Sequence, residues 1–246
     1  MTTAAPDALS LPGSWQEPAI AFGKRALLGA AAGGAGGMLI GGVGGRLAMF
    51  LLRLTSPDYI VGVESDDGFE MGVVSMATFN LIAITGILGS LAGLFVALSL
   101  RFMPAPWVPW AWAAPGVTMG GSLIIHGDGV DFALLSPLWL AVLLFLAIPA
   151  LGLVCIGLLI RRWEPWWWTA RRQTAFALMA AWPIVAFFPI GIAVVAFALA
   201  WGVLARQEGA RLLADSPFAR HAATVGFGGV TLVFLPLLIK DVLDVF

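Results

Sequence analysis

Apolar residues gather in six stretches of this chain, and most of the charge lies in the breaks between them. The stretches cover residues 26–45 with an extension to 54, then 71–100, 110–125, 138–160, 174–205 and 218–239. Several are near or above 18 residues, the length at which an apolar run reads as a transmembrane helix. Residues 26–45 alone make about 30 Å of helix, the thickness of a hydrocarbon core. The pattern predicts an all-α fold, a polytopic transmembrane helix bundle of six spans. Residues 19–246 would form one membrane domain behind a flexible tail, residues 1–18. The count turns on residues 174–205, which would make about 48 Å of helix, long for one span and short for two. Pro183 and Pro189 flank Phe187 and Phe188 there. A single kinked helix gives six spans, and a tight hairpin gives seven.

The first span carries a second, finer pattern. Gly29, Gly33, Gly37, Gly41 and Gly45 follow one another every four residues, with Gly34, Gly36, Gly42 and Gly44 added. In water each would weaken a helix by about 1 kcal/mol against alanine. In lipid the backbone must satisfy its own hydrogen bonds, so a helix is the expected form. Its nearly bare stripe reads as a Gly-zipper, inviting a second backbone to approach closely. The next span supplies small residues of its own, Gly86, Gly89, Ser90, Gly93 and Ala97. Antiparallel pairing of these two spans is expected, with Gly29, Gly33, Gly37, Gly41, Gly45, Gly86 and Gly93 as the packing residues. A four-residue repeat drifts around a helix of 3.6 residues per turn, so the pair should cross at an angle.

Composition removes the soluble alternative: 60% of residues are apolar and 11% charged, against about 25% charged in soluble domains. Charge distribution then orients the bundle. Lys24, Arg25, Arg101, Arg161, Arg162, Arg171 and Arg172 fall on the side of the amino terminus, and Arg46 and Arg53 on the other. Basic loops face the cytoplasm, so the amino terminus is placed inside. Arginine far outnumbers lysine and alanine and glycine abound, which points to a GC-rich bacterial genome and a plasma-membrane location. Trp107, Trp110 and Trp112, and later Trp163, Trp166, Trp167 and Trp168, read as interfacial belts.

Candidate chemistry is sparse. Two acidic loops on the outer side bring together Asp66, Asp67 and Glu70 with His126, Asp128 and Asp131, a set of oxygen donors that could hold a divalent cation. The spacing matches no calcium loop, and solvated turns are the simpler reading, with Gly68, Gly127 and Gly129 at the bends. Arg46 stands where the membrane core should end and reads as an interfacial anchor. Asn80, with Thr78 and Thr85, is the strongly polar amide inside a span and is expected to bond a neighbouring helix. Cys155 stands alone, so no disulfide or cysteine metal cluster is expected. No nucleotide, zinc, redox or nucleophile-elbow motif occurs. The chain therefore reads as a non-enzymatic multi-pass protein with no metal or cofactor, an accessory, scaffold or assembly component. Its expected partners are the lipid bilayer and a second copy or a membrane-complex protein, with no nucleic acid. The alternative is a small solute or ion transporter or channel, with proline breaks forming its site.

Overall fold

A computed structural model describes residues 16–63, 65, 68, 73–100, 108–126, 130–167, 196, 200 and 216–246. It is all-helical, with no strand among the described residues. Among them four helices are long and apolar enough to cross a membrane: Ile20–Thr55, Met76–Ser99, Leu138–Pro165 and Thr224–Val245.

The first of these is compound. Helix α1 (Gln16–Gly36) passes without a break into a π-helical stretch, Gly37–Gly44, and then into α2 (Gly45–Thr55). It starts before the end of the expected tail, and Pro18 falls in its first turn, where the missing N–H has no helical acceptor to lose. The 36 residues of Ile20–Thr55 span about 54 Å, more than a hydrocarbon core, so this helix must tilt or project beyond it. It stops where Ser56 turns to an extended backbone, the conformation favoured before proline, here Pro57.

The π-helical stretch, which the apolar pattern does not reveal, leaves a mark on the packing. Helix α3 (Met76–Ser99) lies antiparallel to α1. Gly29 stands against Gly93, Gly33 against Gly89, and Gly37 against Thr85, four residues up one helix for four down the other. Beyond that point Gly42 stands against Ile82, and Arg46 reaches Thr78. The register has slipped by two residues. A π turn holds more residues than an α turn, so the first helix advances less far per residue than its straight partner.

Helices α4 (Val108–Ala111), α5 (Ala113–Pro115) and α6 (Gly121–Ile124) and a second π-helical stretch, Gly116–Gly120, make up the segment expected as the third span. It is helical from Val108 to Ile124 with a turn at Trp112, and α5, the π-helical stretch and α6 join end to end. Helix α7 (Val130–Leu134) leads into α8 (Leu138–Trp167). Gly36 backs onto Ile156 and Gly152 onto Ile40, so α8 also runs antiparallel to α1. The glycine-rich helix thus sits between α3 and α8. Leu28, Ala30, Ala31 and Ala32 are buried with Val96 and Ala97 of α3 and with Ile156 and Ile160 of α8.

The last helix, α9 (Pro217–Val245), touches the bundle at two levels. Phe227 packs near Trp112, in the cluster that holds Leu28, Ile160 and Trp167. Leu238 packs with Leu52, Ile60 and Leu135 at the opposite end. Helix α9 therefore runs antiparallel to α8, and its start lies at the end of the bundle where α8 stops. Residues 174–205, on which the choice between six and seven spans rests, lie outside the described residues.

Candidate functional site

The seam between α1 and α3 is the most closely fitted feature of the chain. A Cβ built on Gly29 would come within 2.5 Å of the Gly93 carbonyl oxygen. On Gly33 and Gly37 it would overlap the carbonyl oxygens of Gly89 and Thr85, and on Gly89 and Gly93 those of Gly33 and Gly29. No side chain occupies the gap because none fits. Backbone meets backbone, and Cα–H groups face carbonyl oxygens across the seam, contacts worth about 0.5–1 kcal/mol each. Gly41 rests on the Thr85 side chain, 2.9 Å from a built Cβ to the Thr85 Cβ, and Gly86 rests on Met38. Gly45 does not join them: no described atom lies within 4 Å of its built Cβ. The stripe ends before the spacing does.

Polar groups along the seam are spent within it. The Ser90 hydroxyl, buried at 2% exposure, donates to the Gly86 carbonyl at 2.9 Å. The Thr85 hydroxyl donates to the Leu81 carbonyl at 2.8 Å. Such back-bonding lets a hydroxyl sit in an apolar helix without a partner on another helix. Asn80, expected to bond a neighbour, instead lies on the exposed face of α3.

One end of the seam is closed by Arg46. Its guanidinium donates to the Val73 carbonyl at 2.6 Å and to the Thr78 hydroxyl, and lies 3.8 Å from the Met49 sulfur. It links the first helix to α3 and to the segment just before it. Nearby, the Ser56 hydroxyl accepts the Ser136 N–H at 2.8 Å and donates to the Ser136 carbonyl at 3.2 Å. This contact ties the end of α2 to the start of α8, just before the cis Ser136–Pro137 bond.

Of the expected cation donors, Asp66, Asp67, Glu70 and Asp128 lie outside the described residues. His126 is exposed, with Nδ1 3.3 Å from the Ile124 carbonyl oxygen, and Asp131 is buried in α7. Among the described residues no three His, Cys, Asp or Glu side chains gather as a metal site.

The opposite end of the bundle is basic and aromatic. Arg25 pairs with Glu164 at 3.6 Å. Trp112, read from sequence as part of an interfacial belt, is 2% exposed, whereas Trp110 is 65% exposed. Trp112 is interior because its indole meets Phe95 of α3 edge-on at 5.9 Å and Phe227 of α9 at 5.0 Å. Its Nε1 has no hydrogen-bond partner among the described residues. Sequence reasoning also missed Ser56, Ile82 and Ile156 as contact residues. Hydroxyl and aliphatic side chains acquire those roles only from the register, for which the chain carries no local signal. No protein-family model, curated protein or solved structure matches this chain.

Proposed function

We propose that this protein is an accessory, scaffold or assembly component of a bacterial plasma membrane, with its amino terminus in the cytoplasm. In this reading the first helix is a glycine zipper that holds α3 at backbone distance and packs its other side on α8, making a stiff core on which a membrane partner or a second copy assembles. The observation that carries it is the seam itself, where carbonyl meets Cα and the hydroxyls are turned back into their own helix. The orientation rests on Lys24, Arg25, Arg161 and Arg162 sharing one end of the bundle, under the rule that basic residues stay inside.

Affinity purification of the full chain from its native membrane is the test. A stoichiometric integral-membrane partner is expected, and its level in the membrane should fall when the chain is deleted or carries Gly37→Leu. A chain that purifies alone, and whose deletion changes the level of no membrane complex, overturns the reading. A transporter is the second reading, favoured by the π-helical stretches Gly37–Gly44 and Gly116–Gly120, since π-bulges recur at functional sites. Proteoliposome flux across a broad panel of ions and small solutes decides it, and no flux ends it.

A further inference from the structure

The basic end of the bundle carries more than a topology signal. Lys24 and Arg25 lie at the start of the glycine-rich helix, and Arg161 and Arg162 near the end of α8. They are far apart in the chain, yet the fold joins them. Leu28 is buried with Ile160 and Trp167, with Leu27 and Trp163 packed on the same cluster. One turn below, Arg25 meets Glu164. Four cations therefore share one helix-pair end, where Arg25 is engaged by Glu164. Lys24, Arg161 and Arg162 also take part in interactions within the chain, so the group is positioned rather than freely swinging.

From Leu138 to Arg161 α8 rises about 35 Å, slightly more than a hydrocarbon core, which sets the arginines at headgroup depth. Trp163, half-buried at the same level, fits that depth. Immediately toward the membrane centre, Leu158 of α8 is exposed, at 46%. A ligand suited to this end is anionic at its head and apolar below it. Basic pockets between transmembrane helices bind such headgroups, and polybasic segments are drawn to an anionic surface.

We propose that Lys24, Arg25, Arg161 and Arg162 form a binding site for the phosphate headgroup of an anionic glycerophospholipid, whose acyl chains run past Leu158. The phosphate oxygens accept from the guanidinium and ammonium groups, and Glu164 holds Arg25 in place. The site involves neither the glycine seam nor the assembly role.

The test is lipid titration of delipidated, full-length protein in a neutral detergent, read by native mass spectrometry and by thermal unfolding. Phosphatidylglycerol should bind as a discrete adduct and raise the unfolding midpoint. Phosphatidylcholine of the same chain length and inorganic phosphate should do neither. Arg161→Gln with Arg162→Gln should weaken phosphatidylglycerol binding at least tenfold and shrink the midpoint shift that the lipid produces. Should that variant fail to fold, Arg161→Lys with Arg162→Lys is expected to fold and keep most of the binding. For the parent chain, raising salt from about 0.05 to about 0.5 M should weaken the phosphatidylglycerol adduct, because exposed charges are screened. Equal binding of the two lipids, salt-insensitive binding, or undiminished binding by the glutamine variant overturns the proposal. A midpoint shift reproduced by inorganic phosphate alone overturns the lipid assignment.

Discussion

The first and last helices are both apolar, both carry clustered glycines, and both are long enough to cross a membrane, yet they do opposite things. In the first, 61% of the most apolar window is buried inside the bundle; in the last, 6% is. Gly29, Gly33 and Gly37 press on the backbone of α3. Gly226, Gly228 and Gly229 have no described atom within 4 Å of a built Cβ. Helix α9 instead exposes Val225, Leu232, Val233 and Leu243, side chains at home against acyl chains. A glycine in a membrane helix is thus informative only through what lies opposite it. Regular four-residue spacing matched by small residues on the next span marks a seam, and a loose glycine cluster does not.

The contrast can be broken most forcefully at Gly33. Gly33→Leu would drive a branched side chain into the Gly89 carbonyl and the Gly93 Cα, and backbone cannot give way as a side chain can. A loss of about 3 kcal/mol or more is expected, at the severe end of overpacking, seen as a collapse in monodisperse protein by size-exclusion chromatography. Gly228→Leu should leave the yield within the range of ordinary surface changes, about 0.5 kcal/mol. Equal yields from the two variants would erase the distinction between the helices.

A smaller effect is expected where the seam closes. Arg46→Gln removes the charge-assisted bonds to Val73 and Thr78 and should lower stability by about 1.5–3 kcal/mol, read as a lower unfolding midpoint. Thr78→Val should cost about 0.6 kcal/mol, the average for a polar contact between membrane helices. An Arg46→Gln midpoint equal to the parent's would make Arg46 an interfacial anchor and nothing more. Least of all is expected at Lys240, whose pair with Asp244 at 3.3 Å is largely exposed. Lys240→Ala should shift the midpoint by no more than about 0.5 kcal/mol, and a larger loss would mean that the far end of α9 is held more firmly than its exposure indicates.

Much of the architecture was legible because membrane burial is a composition-level constraint. Apolar run length places the helices whatever their neighbours are, and the small residues at 86, 89, 90 and 93 point to α3 as the neighbour of the glycine stripe. What could not be read depends on register. The π-helical stretch shifts the pairing by two residues, and nothing in GMLIGGVG distinguishes it from an α-helical glycine run. Trp112 looked interfacial because it follows Trp107 and Trp110, and only its contacts with Phe95 and Phe227 place it inside. Asn80 looked like a bonding group because it is polar, but helical phase turns it outward while Thr78 on the same helix meets Arg46. Acidic loops advertise chemistry by charge alone, and the described part, His126 and Asp131, forms no such cluster.

The account stands or falls on whether the bare strip of the first helix lies flush on another backbone. The direct measurement is the unfolding midpoint, in lipid nanodiscs, of Gly33→Ala beside Gly228→Ala. Gly33→Ala must accommodate a methyl group against the Gly89 carbonyl, at about 1–3 kcal/mol or more, whereas the methyl of Gly228→Ala meets no described atom within 4 Å. A lowered midpoint for Gly33→Ala beside an unchanged or raised one for Gly228→Ala is the predicted result. A Gly33→Ala protein as stable as the parent, or more so, would contradict it.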